Sequence, residues 1–144
     1  LQITDGEMTR FNISLEEGVN MVIWAINNSI GGEIFVPKIP SYRILDIANA
    51  IGPNCKKEFI GIRPGEKLHE QMIGLEDAPH TIEYQNYYKI LPSLYGWSND
   101  RRRIGNGKTV KNDFVYDSFS NDNYMSINEL QEWLEKNSCR INKL

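Results

Sequence analysis

The sequence has little cysteine, no long apolar run, no excess of positive charge and none of the short motifs that mark a self-sufficient enzyme. Its two cysteines, Cys55 and Cys139, lie far apart. That fits neither a disulfide scaffold nor a four-ligand metal site, and makes a reduced, cytoplasmic setting the expectation. No apolar run approaches the about 20 residues needed to span a bilayer, and no basic-then-apolar leader opens the chain, so no membrane partner is expected. A formal net charge of −3 argues against a broad nucleic-acid surface. The one basic cluster, Arg101-Arg102-Arg103 with Lys108 and Lys111, lies among Gly, Asn and Asp and reads as a solvated loop. There is no Gly-rich phosphate loop, no strand-linked G-x-G-x-x-G, no Gly-x-Ser-x-Gly and no Cys/His pair at recognisable spacing. Trp24, Trp97, Trp133 and the seven tyrosines read as core and edge residues rather than a sugar-stacking platform. Tyr87, Tyr88 and Trp97, near loops, are those left for a partner contact.

What is present is the composition of one soluble globular domain: 144 residues, 40% hydrophobic and 24% charged. The first residue is Leu1, and Leu1-Gln2-Ile3-Thr4-Asp5 alternates like a strand already under way. The expectation is a piece of a longer polypeptide. Met8 to Ile13 reads as a short extended segment, and Ser14-Leu15-Glu16-Glu17 as a capping box opening a helix to about Asn28. Leu15, Val19, Val22, Ile23 and Ile26 form a stripe at helical spacing, expected to face the core. Gly31-Gly32 stops that helix and Glu33 to Pro37 is a strand. Pro40-Ser41 announces a second helix that ends at Gly52-Pro53. Thr81 to Tyr84 and Tyr87 to Leu91 flank Gln85-Asn86 as a hairpin. Residues 92–123 read as a long loop with a brief strand near Val110 and Phe114 to Tyr116. Ser126-Ile127-Asn128-Glu129 is a second capping box, opening a C-terminal helix over 126–137.

The stretch with the most chemistry in it is Gly61-Ile62-Arg63-Pro64-Gly65-Glu66-Lys67-Leu68-His69-Glu70. It follows the apolar Phe59-Ile60, and Lys67 to Ile73 has helix-forming composition, so the pattern predicts a strand-to-helix turn. Pro64 and Gly65 would hold Arg63 at the mouth of that turn, where a planar guanidinium beside free helix N–H groups can grip a phosphate or carboxylate. Glu66 can accept hydrogen bonds from vicinal hydroxyls. Arg10, polar among apolar neighbours, is the second candidate: with Arg63 it can clamp a diphosphate from two sides. The alternative is unrelated ion pairs with Glu7, Glu16 or Glu70. Glu66, His69 and Glu70 share a face of the expected helix, but without a second nearby histidine a metal site is the minor reading. His69 is read as a helix-surface or core-edge residue bonded to a neighbour.

Four blocks in order carry a family resemblance: Ile3-Thr4-Asp5 with Met8-Thr9-Arg10-Phe11, Ser14 to Val19, Gly32 to Lys38, and Gly61 to Glu70. They resemble the C-terminal half of the UDP-N-acetylglucosamine 4,6-dehydratases of the extended short-chain dehydrogenase/reductase superfamily. Ala78 to Tyr84, Tyr87 to Ile90 and Ser126 to Leu130 resemble the configuration-inverting members that begin the pathway to pseudaminic acid. The resemblance implies a small α+β substrate-binding domain, here the single domain 1–144, completing an α/β enzyme. That enzyme's Rossmann half would hold NADP and a Tyr-x-x-x-Lys pair. It places Arg10 and Arg63 on the UDP pyrophosphate, Glu66 on the ribose, and Met8 and Thr9 among the substrate contacts. The implied reaction oxidises C4, eliminates water across C5–C6 and returns hydride to C6, with C5 inverted. No catalytic, cofactor-binding or metal-ligating residue is expected in this chain, which would be inert alone. Its expected partners are a UDP-sugar, the Rossmann domain and further copies in a dimer or hexamer. Alternatives are a retaining dehydratase, a UDP-sugar epimerase, or an assembly module using 92–123 and the last helix.

Overall fold

The structure, a computed structural model, describes all residues except 94–95, 98–99 and 142–144, and of 138–141 the backbone alone. In chain order the elements are β1 (Gln2–Ile3), β2 (Thr9–Phe11), α1 (Leu15–Asn28), β3 (Ile34–Pro37), β4 (Ser41–Arg43), α2 (Ile44–Ile51), β5 (Glu58–Phe59), β6 (Gln71–Ile73), β7 (Thr81–Glu83), β8 (Tyr87–Ile90), α3 (Arg101–Ile104), β9 (Lys108–Thr109), β10 (Tyr116–Asp117) and α4 (Ile127–Ile141). This is a small mixed α/β chain with several small sheets. It folds as two compact units of interleaved sequence.

The first unit comprises Leu1–Asn12, Pro40–Glu70 and Ser118–Leu144. β1 pairs in parallel with β5, and β2 pairs antiparallel with β4, Arg10 opposite Tyr42. Pro40-Ser41 does not start a helix, because Ser41 and Arg43 are taken into the ladder with β2. Helix α2 begins at Ile44, whose N–H donates to the Met8 carbonyl at 2.9 Å. It ends at Gly52 as expected and packs on α4. Ala48, Ala50 and Leu130 are buried there. The second capping box is built as the sequence predicts: Ser126 N–H donates to Glu129 Oε2 at 2.8 Å and Ser126 Oγ accepts from Glu129 N–H at 3.3 Å. The Ser126 hydroxyl and N–H together hold the Glu129 carboxyl below its ordinary value.

The second unit comprises Ile13–Ile39 and Gln71–Asp117. Its main sheet runs β3-β8-β7-β9, antiparallel throughout, and β6 pairs antiparallel with β10. The predicted hairpin is present: β7 and β8 are joined through Gln85-Asn86, with Tyr84 N–H donating to the Tyr87 carbonyl at 2.9 Å. Val36, Ile82, Ile90 and Leu91 are buried beside Tyr88, and burial of each of these aliphatic side chains contributes about 1.5–3 kcal/mol. The stretch expected as a long loop carries α3, β9 and β10. The brief strand expected near Phe114 to Tyr116 is β10, where Tyr116 pairs with Ile73.

Helix α1 spans the predicted residues with its capping box formed, but its stripe is not core. Leu15 is 84% and Ile26 72% exposed, and Val19, Val22 and Ile23 are exposed with them. It is Trp24, on another face, that packs inward, 5.3 Å edge-to-face on Phe35 and 4.7 Å from Tyr87. Helical period shows that a stripe prefers an apolar neighbour; it does not say which surface supplies one.

Candidate functional site: an arginine loop on a buried hydroxyl network

The loop 61–70 belongs to the first unit and departs from expectation in one respect: no helix follows Arg63. Helix-forming composition over Lys67–Ile73 loses because its backbone groups have better partners elsewhere. Leu68 C=O accepts from Thr9 N–H at 3.1 Å, and Ser118 N–H donates to Glu70 C=O at 2.7 Å. Glu70 N–H donates to Ser118 Oγ at 2.9 Å. Beyond Glu70 the chain enters β6. The helix N–H groups expected beside Arg63 are therefore not there, and Glu66, His69 and Glu70 do not share a helical face. Among the described residues no group of three or more His, Cys, Asp or Glu side chains is arranged to hold a metal.

What braces the loop instead is a polar knot under β2. Thr9, 1% exposed, joins its hydroxyl to Ser118 Oγ at 2.7 Å and to His69 Nδ1 at 2.8 Å. Ser118 is fully buried, and its carbonyl accepts from Tyr124 Oη at 2.6 Å. The His69 ring lies 4.6 Å from that of Phe119. His69 is thus a bonded core-edge residue, as read, though on a loop. Glu70 Oε2 accepts from Phe11 N–H at 2.9 Å. Neither Ser118 nor Tyr124 gave a sequence signal: they lie about a hundred residues from Thr9, and isolated Ser and Tyr are common in loops.

The two arginines differ in how far they are committed. Arg10 donates through Nη1 to the carbonyls of Thr9 at 2.6 Å and Leu68 at 3.2 Å. Its Nη2 donates to Lys67 C=O at 3.0 Å and lies 3.0 Å from Met8 Sδ. Its Nε stands 3.7 Å from Glu70 Oε1, the ion pair anticipated as an alternative. A guanidinium has five N–H donors, and those of Arg10 are largely spent tying the loop to β2. Arg63 is different. Its side chain is 68% exposed and, among the described residues, meets only Glu66 Oε1, at 4.0 Å. The turn beneath it is self-bonded, Glu66 N–H to Arg63 C=O at 3.0 Å and Arg63 N–H to Glu66 Oε2 at 3.1 Å. Gly61 and Gly65, at φ +83° and +85°, take the left-handed bends that let this loop reverse. Met8, 2% exposed, and Thr9 face inward: Met8 Sδ and the Thr9 carbonyl meet Arg10, while the Thr9 hydroxyl is turned to Ser118 and His69.

Elsewhere, Arg103 corrects the reading of the basic cluster as wholly solvated. Arg101 and Arg102 are exposed, but Arg103 is 8% exposed and belongs to α3. It donates to Glu33 Oε1 and to Gly31 C=O, each at 2.8 Å, and stacks 3.8 Å from the Trp97 ring. Lys89 donates to the Arg103 carbonyl and lies 5.0 Å from the Tyr84 ring centroid; burial pushes its ammonium down from the ordinary value.

A dinucleotide pyrophosphate is held at a Gly-rich strand-to-helix turn. Among the described residues the positive-φ glycines of 61–65 lead into no helix, so these residues do not fit a nicotinamide dinucleotide.

An exposed arginine on a braced loop fits a protein that handles anionic small molecules. The chain belongs to the polysaccharide biosynthesis protein family, whose model matches residues 1–92. It is 47% identical over 137 residues to a UDP-N-acetylglucosamine 4,6-dehydratase (inverting) of Campylobacter jejuni serotype O:2, covering 92% of this chain and 41% of the relative. It is 46% identical over 135 residues to the protein of the same description from serotype O:23/36, covering 90% and 40%. A UDP-glucose 4-epimerase of Rickettsia canadensis is 39% identical over 94 residues, 62% of this chain and 28% of the relative. The crystal structure of Pen from Bacillus thuringiensis superposes with a TM-score of 0.75 at 26% identity, covering 94% of this chain and 39% of that one. The chain thus spans about two-fifths of the length of the curated dehydratases it matches.

Proposed function

We propose that this chain is the nucleotide-sugar-holding part of an inverting UDP-N-acetylglucosamine 4,6-dehydratase. The observation that carries the reading is Arg63, a guanidinium two-thirds exposed on a turn closed by its own hydrogen bonds and spared the structural duties that occupy Arg10. Such a group meets a pyrophosphate with little reorganisation. Glu66, beside it, gives up its weak pairing to accept the ribose hydroxyls. Arg10 secures the loop through Lys67 and Leu68 and adds positive potential, with Met8 and Thr9 packed under it.

Redox chemistry lies outside these residues. A dinucleotide-binding half, with NADP, supplies the hydride transfer at the sugar. The product is a UDP-2-acetamido-2,6-dideoxy-hexos-4-ulose for surface glycan or pseudaminic acid synthesis, made in the cytoplasm by a dimer or hexamer. The resemblance of Ala78 to Tyr84 and Tyr87 to Ile90 to inverting members, together with the identity to two inverting relatives, favours this over a retaining dehydratase or an epimerase. Joining the chain to the dinucleotide-binding half of the Campylobacter jejuni relative tests it. The chimera is expected to convert UDP-N-acetylglucosamine to the 4-keto sugar, seen by NMR, and to run as an oligomer in light scattering. Turnover by this chain alone with added NADP contradicts the reading.

A further inference from the structure

A cleft of about 490 Å³ lies within the second unit, between α1 and the β7–β8 turn. Three aromatic rings, three carboxamides and one thioether line it: Trp24, Tyr84 and Tyr87, with Gln85, Asn86 and Asn106, and Met21. Tyr84 and Tyr87 stack at 4.5 Å with planes 11° apart, and Trp24 leans on Tyr87, so the aromatic wall is stiff. Trp24, read from the sequence as a core or edge residue, and Tyr87 are nonetheless half-exposed. The Tyr84 hydroxyl is spent on the Ile104 carbonyl at 2.6 Å. None of the three carboxamide side chains is bonded to another described residue. No charged side chain lines the cleft.

We propose that this cleft binds a neutral carbohydrate, by a site separate in chemistry from the arginine loop. A carboxamide offers a donor and an acceptor side by side, which matches a vicinal pair of hydroxyls, each of them both donor and acceptor. The apolar C–H face of a pyranose fits an aromatic wall, while the carboxamides orient its rim, the pattern of apolar surface with few convergent polar groups expected of a ligand site. A nucleotide phosphate would find no cation here. A proline-rich peptide, which presents carbonyl acceptors to aromatic grooves, would leave the carboxamide oxygens without donors. The proposal does not rest on the dehydratase reading, since none of the residues involved belongs to the arginine loop.

The test is a titration of the ¹⁵N-labelled chain followed at the Trp24 indole N–H and the side-chain amides of Gln85, Asn86 and Asn106. The probes are N-acetylglucosamine, maltotriose and a proline-rich decapeptide. At least one saccharide is expected to move these resonances saturably. Asn86→Ala, at an exposed turn where folding is spared, is expected to weaken it about tenfold, the equivalent of one lost hydrogen bond. Trp24→Phe keeps a ring and is expected to weaken it less. UDP binding is expected to be unchanged in both. No shift with either saccharide up to tens of millimolar overturns the proposal. So does a response confined to the peptide, or saccharide binding that Asn86→Ala leaves intact while the dichroism spectrum stays native.

Discussion

Arg63 in the first unit and Arg103 in the second are the same residue type put to opposite uses. Arg103 is 8% exposed and paired at 2.8 Å with Glu33, whose own side chain is 1% exposed. Arg63 is 68% exposed and faces its partner at 4.0 Å. A guanidinium whose donors are all engaged inside a protein contributes order; one left in water with a single weak partner is available to a ligand. Arg10 lies nearer the first kind, at 21% exposure with three carbonyls in its grip. An arginine's role is thus read from the partners it already has, and charge alone says little.

Breaking the buried pair gives the largest expected effect. Arg103→Met leaves the Glu33 carboxylate without its cation and is expected to cost about 3–5 kcal/mol in chemical denaturation. Acid sharpens the same point. Burial works against charge on Glu33, but hydrogen bonds from its own N–H, Ser29 and Gly31, with Arg103 beside it, outweigh burial and hold its pKa below the ordinary 4.5. A carboxyl lowered on folding contributes stability that is present above the ordinary value and lost as pH falls through the folded one. The native chain is therefore expected to lose stability below about pH 4.5, measured by urea midpoints across pH. In Glu33→Gln that part of the acid dependence disappears.

Next comes the hydroxyl knot. Thr9→Val keeps the shape and strands two partners, Ser118 and His69, for an expected loss of about 1–3 kcal/mol in thermal or urea unfolding. Smaller still is Ser126→Ala, which removes the cap of α4 and is expected to cost about 1 kcal/mol by the same measurement.

Local chemistry was the legible part of this sequence. Ser14 with Glu17 and Ser126 with Glu129 announced two helices, and the Gln85-Asn86 turn announced the hairpin, because each depends on residues a few positions apart. The exposed Arg63 was legible too, from Pro64 and Gly65 around it. What failed depended on distance. Lys67 to Ile73 has helical composition, yet Thr9 and Ser118 take its backbone groups, from 59 and 48 residues away in the pairs Thr9–Leu68 and Glu70–Ser118. Arg103 looked solvated beside Arg101 and Arg102, and nothing within its own neighbourhood pointed to Glu33, 70 positions back. The apolar stripe of α1 was seen correctly as a stripe and assigned wrongly to the core, since periodicity carries no information on what covers a face.

Under the proposed function, Arg63 is held ready for a pyrophosphate. Calorimetric titration of this chain with UDP, beside Arg63→Ala, tests it most directly. Millimolar or tighter binding by the native chain is expected, abolished by Arg63→Ala, with the unfolding midpoint moved by less than about 0.5 kcal/mol, as for an exposed side chain. UDP binding that survives in Arg63→Ala, or its absence in a native chain whose far-UV dichroism shows it folded, would contradict it.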